Sequence, residues 1–223
     1  MIAPATIKFL KDLKKNNNKP WFDAHRKDYE AAKADFSGFI QAAINNLGKK
    51  DITIKDLKAK DCMFRINRDI RFSKDKSPYK TNFGASINKG GKKAMGSAGY
   101  YFHLEPGNSF IGGGLYQPMP EELKKVRQEI DYNFKEFKKI ITSKKFTSVY
   151  KELDKSKEFS LIRVPKGYEP ENPAAEYLKL KSFIAMIPIS DKELLSKELL
   201  KKTQATFEAL MPLLSFINRS IED

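Results

Sequence analysis

Apolar residues recur at a helical spacing from Trp21 to Leu47, and the chain then changes period. Trp21, Phe22, His25, Tyr29, Ala32, Phe36, Phe39, Ile40, Ile44 and Leu47 fall on one stripe of about 3.6 residues. This predicts one long amphipathic helix, opened by Pro20, where a missing N–H costs nothing, and closed by Gly48. An aromatic stripe at that spacing is core, and His25 on it reads as a hydrogen-bonded, buried histidine. A shorter helix, PATIKFLKDLKK, precedes it and is ended by Asn16 to Asn18.

The middle third alternates with period two. CMFRIN, NFGASIN, GYYFHLEP and NSFIGGGLYQ are short and are separated by Gly, Pro, Asn and Lys, so they predict antiparallel strands from Cys62 to Gln117. After Pro120 the helical period returns. A short SLIRV strand, a helix at AAEYLKLK, a strand SFIAMIPI and two helices (Asp191–Lys202 and about Thr203–Ile221) complete the chain. The fold class expected is α+β: a single domain over residues 1–223, with the antiparallel sheet in the middle packed by N-terminal and C-terminal helices.

Alternation also assigns faces. Cys62, Phe64 and Ile66 should point with Tyr100, Phe102 and Leu104 into the core, under the long helix. Arg65, Asn67, Tyr101, His103 and Glu105 should share the opposite face, flanked by Arg68, Asp69 and Arg71. A histidine beside a carboxylate and a tyrosine moves protons, so His103, Tyr101, Glu105 and Asp69 are the catalytic candidates. The alternative is one plain solvated sheet face. Cys62, on the core side, is expected to be structural.

The formal net charge is +14. Residues 121–223 are near balance, with 20 Lys and Arg against 17 Asp and Glu, whereas residues 61–95 hold 9 against 3. The excess centres on FRINRDIRFSKDKSPYK, read as a loop at a strand end, because Pro78 removes a ladder donor and SKDKSP is turn chemistry. Arginine forks and mobile lysines suit phosphate or carboxylate, so Arg65, Asn67, Arg68, Arg71, Lys74 and Lys76 are the candidate binding residues. Asp69 and Asp75 would brace part of the loop against Arg71 and Lys74. Ile70, Phe72 and Tyr79 should be buried loop anchors; exposed, the two aromatics would instead offer stacking surfaces to single-stranded nucleic acid.

Other chemistry is thinly represented. One cysteine and two histidines do not make a zinc site, and that leaves only a carboxylate site for magnesium or calcium, without an EF-hand loop. FIGGGLYQPMPEEL lacks the phosphate-loop and dinucleotide patterns, and its glycines read as a bulge or a close backbone approach. No metal and no cofactor is predicted. No apolar run approaches the roughly 20 residues of a membrane helix, and no signal layout opens the chain, so a cytoplasmic protein without a membrane partner is expected. The expected partner is an anionic small molecule or phosphate, bound with or without catalysis. A nucleic-acid module and a non-catalytic interaction domain are the alternatives.

NNNKPWFDAHRKDYE, FRINRDIRFSKDKSPYKTNFGASI, GYYFHLEPGNSFIGGGLYQPMPEELKKVRQEI and RVPKGYEPENPAAEYLKLKSF occur in this order. Together they resemble a bacterial family of conserved hypothetical proteins, a domain of unknown function, over nearly the whole chain. The resemblance implies one α+β domain of about this length and carries over no catalytic residue.

Overall fold

A computed structural model describes residues 1–94 and 96–222. Three N-terminal helices, α1 (Pro4–Lys15), α2 (Lys19–Ala24) and α3 (Arg26–Leu47), precede the one-turn α4 (Ala59–Cys62). Strands β1 (Phe83–Ile87), β2 (Gly99–Leu104) and β3 (Ser109–Leu115) follow. Next come α5 (Pro120–Tyr132), α6 (Phe134–Ile141), α7 (Lys144–Tyr150) and α8 (Ala175–Leu178). Strand β4 (Phe183–Ile189), α9 (Asp191–Leu194) and α10 (Leu199–Glu222) end the chain. The fold is α+β, built on an antiparallel sheet of order β1-β2-β3-β4.

The chain divides into two compact units. The first comprises Met1–Lys93, Tyr101–Ile111 and Pro188–Ala205. In it α3 buries Tyr29, Phe36, Phe39, Ile40 and Ile44. Phe36 stacks on Phe83 (5.5 Å) and reaches Phe102 (6.1 Å), which Phe39 meets edge-on at 5.0 Å. Phe102 and Leu104 are fully buried while Tyr101 and His103 are half-buried, as the alternation predicts.

The second unit comprises Ala94–Tyr100, Gly112–Ile187 and Thr206–Asp223. Its core joins Tyr100 to Phe207 (5.0 Å) and Phe137 to Phe216 (5.5 Å). The buried Tyr150 hydroxyl donates to the Thr206 carbonyl (2.8 Å). The triple glycine of β3 is a close approach to another element. A Cβ on Gly112 would sit 2.1 Å from the Ala185 carbonyl oxygen, and one on Gly114 would sit 2.0 Å from that of Phe183.

The structure corrects several local expectations. The predicted Pro20–Leu47 helix breaks at His25 (φ −107°, ψ 23°), where α2 ends and α3 begins. The His25 ring stacks on Trp21 at 4.0 Å and its Nδ1 donates to the Trp21 carbonyl (2.8 Å), which the His25 amide also engages. CMFRIN is not a strand: a helical turn ends at Cys62, and only isolated bridges, Met63 to Ala85 and Asn67 to Tyr79, pair the rest. Without a continuous ladder the alternation fails, so Met63 is buried and Phe64 is exposed, 6.4 Å from the Tyr101 ring rather than in the core. SLIRV holds one bridge, Ser160 to Leu180, and leaves Ile162 in solvent. The helix predicted from Asp191 stops at Leu194, and α10 runs unbroken through Thr203 and Pro212.

Cys62 is fully buried, and burial, with Asp61 adding to it, pushes its thiol up to about 11. Since the thiolate is the reacting form, native Cys62 should resist a thiol reagent at neutral pH until the protein is unfolded. Cys62→Ala should cost about 1 kcal/mol. Fast native labelling would contradict both the burial and the raised pKa.

Candidate functional site

Tyr101, His103 and Glu105 stand at alternate positions at the end of β2 and form a hydrogen-bonded row. The Tyr101 hydroxyl lies 3.2 Å from His103 Nδ1, and His103 Nε2 lies 3.4 Å from Glu105 Oε2. Phe110 stacks flat on the imidazole at 4.6 Å. Asn108 Nδ2 (3.2 Å) and Thr81 Oγ1 (3.3 Å) donate to the Glu105 carboxylate, and Lys14 Nζ stands 3.8 Å away. Burial works against that carboxylate, but Asn108, His103 and Lys14 outweigh it and hold its pKa below the ordinary value. Burial lowers the pKa of His103, against the pull of Glu105. The resting pair is therefore a neutral imidazole beside an ionised carboxylate.

The basic loop mostly satisfies itself. Arg68 ion-pairs with Asp75 and donates to the Ser77 carbonyl (3.1 Å) and Ser73 Oγ (3.3 Å). Asp75 also accepts from the Ser77 amide and hydroxyl, and these bonds with Arg68 bring its carboxyl down to about 2. Arg71 closes on Asp69 at 2.7 Å, and Lys76 donates to the Ile70 carbonyl at 3.0 Å. Asn67 serves the bridge to Tyr79, and Lys74 is exposed. Bracing thus follows the expected pattern at Asp69, while Asp75 takes Arg68 instead of Lys74. The aromatic anchors divide. Tyr79 is buried against Phe22 (3.9 Å), its backbone held at both ends by Asn17, whereas Phe72 is 96% exposed.

Arg65 lines a different place. A pocket of about 330 Å³ opens beside α3, floored by the buried Tyr29, Met63 and Phe83 and rimmed by Lys33, Lys60, Phe64, Arg65 and Lys92. None of its lining residues is acidic. Lys92 Nζ donates to the carbonyls of Lys60 (2.8 Å) and Met63 (2.7 Å), and Lys33 meets Glu30 only at 3.5 Å. Next to it the half-buried Lys80 lies over the Phe64 ring (5.5 Å), its pKa lowered by burial and by Arg65.

The structure therefore brings Tyr101, His103 and Glu105 together, sets Arg65 in the α3 pocket, and engages Arg68, Asp69, Arg71 and Lys76 within the loop. Lys33, Lys60 and Lys92 escape sequence reasoning, because they come from three separate elements and share no spacing. Among the described residues no cluster of three His, Cys, Asp or Glu side chains suits a metal ion, and no helix is long and apolar enough to cross a membrane.

A family model described as conserved hypothetical protein (DUF2461) matches residues 5–216. No curated protein and no solved structure matches the chain.

Proposed function

Because the chain belongs to this family of conserved hypothetical proteins, whose description carries no chemistry, we propose a function from geometry: the α3 pocket holds a small anionic molecule of the phosphate or carboxylate class. The observation that carries this reading is the lining, which has four cationic side chains and no acid. Like charges gathered near a protein surface repel by several kcal/mol before screening. Beside the pocket, burial and, after it, the charge of Arg65 lower the pKa of Lys80. An anion relieves the repulsion, and the apolar floor of Tyr29 and Phe83 suits a ligand with an organic body. The volume lies at the small end of ligand pockets, which run from about 300 Å³.

An anion that binds only the folded state stabilises it by mass action, by about 2.7 kcal/mol at a hundredfold excess over Kd. For a protein of this size that is a rise in Tm of roughly 5–10 °C. Phosphate, pyrophosphate or a nucleotide should produce such a shift beyond that of chloride at equal ionic strength. Arg65→Ala should abolish it, and Arg68→Ala, which removes a loop brace, should retain it. Equal shifts for all anions would end this reading.

The exposure of Phe72, with Arg71 5.8 Å above its ring, supports a second reading as a single-stranded nucleic-acid contact. In that case single-stranded DNA binds with a steep salt dependence and Phe72→Ala removes the binding.

A further inference from the structure

The geometry points to Tyr101 as an activated phenol, an acid–base and nucleophilic group driven by His103 and Glu105. Glu105, ionised and fed by Asn108 and Thr81, can only accept from the imidazole nitrogen facing it, 3.4 Å away. Nε2 must therefore carry the ring proton. A neutral imidazole then has a bare Nδ1, and the group in front of it, 3.2 Å away, is the Tyr101 hydroxyl. The phenol O–H thus donates to a base whose far side is oriented by a carboxylate, the order in which a hydroxyl is activated. Phe110 fixes the ring plane.

The neighbouring strand β1 accommodates the phenol only because residue 84 is glycine: a Cβ there would come within 2.6 Å of the Tyr101 hydroxyl oxygen. Its substrates would present an electrophilic carbonyl, phosphoryl or sulfonyl centre. The Tyr101 proton passes to His103 Nδ1, Glu105 steadies the imidazolium, and the phenolate oxygen attacks that centre as its bond to the leaving group breaks, the departing group taking the proton from His103. None of the three polar groups lines the α3 pocket, so the inference holds whether or not that pocket takes an anion.

Benzenesulfonyl fluoride tests it. Attack by the phenolate forms an oxygen–sulfur bond and expels fluoride, leaving the proton on His103, and peptide mass spectrometry reads the site. Tyr132 and Tyr116, 75% and 56% exposed, are the reference phenols. Tyr101, though less exposed, should label at least about tenfold faster than either, the low end of what a positioned base supplies. The groups that set its pH profile are His103, Glu105 and Lys14. Because burial lowers the pKa of His103, the base stays neutral, and labelling stays fast, below the pH at which an ordinary histidine protonates. His103→Gln should bring Tyr101 below the reference rate, and Glu105→Gln, at the half-buried end of the row, should lower it in a protein that still folds by circular dichroism. Labelling of Tyr101 no faster than Tyr132, or a rate indifferent to both substitutions, would reduce the row to a plain hydrogen-bond chain on a wet sheet face.

Discussion

Gly114→Ala should destabilise the protein by about 3–5 kcal/mol, the sum of overpacking and backbone strain. The added Cβ would meet the Phe183 carbonyl oxygen at 2.0 Å and Ile184 Cα at 2.8 Å. Both are backbone atoms of β4, so no side chain can swing away and the strands would have to part. Gly114 also holds φ +128°, a conformation that L side chains rarely adopt. The melting temperature should fall by roughly 10 °C or more. Gly38→Ala is the control: it sits on the exposed side of α3 with nothing within 4 Å of the added methyl, and should gain about 1 kcal/mol of helix propensity. A Gly114→Ala protein that melts with its parent would mean that β3 and β4 do not approach this closely.

Phe102→Ala should cost about 3–5 kcal/mol in urea denaturation, the range for deleting a buried aromatic. Its ring is fully buried and bridges β2 to Phe36 and Phe39 of α3, so truncation leaves a cavity between two rigid elements. Phe72→Ala should be nearly silent, because a ring 96% in solvent loses almost no burial. Comparable costs for the two would mean that the sheet face under α3 is misassigned.

Phe102 and Phe72 mark where sequence reading works and where it stops. On β2 a continuous ladder enforces the pleat, so Tyr100, Phe102 and Leu104 went to the core as the alternation required. At Phe64 the ladder is missing, and the same rule gave the wrong face. By sequence Phe72 reads as a loop anchor, because charged loops need apolar fixings. Tyr79, packed on Phe22, and the Arg68–Asp75 pair hold the loop instead, and Phe72 is released to solvent.

By itself the sequence determined what is local: the helices at both ends, the four strands of the sheet, and the row of Tyr101, His103 and Glu105. The pleat period is a property of the backbone that neighbouring residues share. Only the tertiary structure decided which cations meet. Arg68 and Arg71 turn to acids within a few residues of themselves, whereas Arg65 joins Lys33 from α3, Lys60 from α4 and Lys92 from the turn after β1. No period connects those four positions. They converge because the buried Phe83 fixes β1 against α3 and the Met63–Ala85 bridge ties the end of α4 to the same strand. Such long-range packing of apolar residues sets charges side by side without leaving any pattern in the order of the charges themselves.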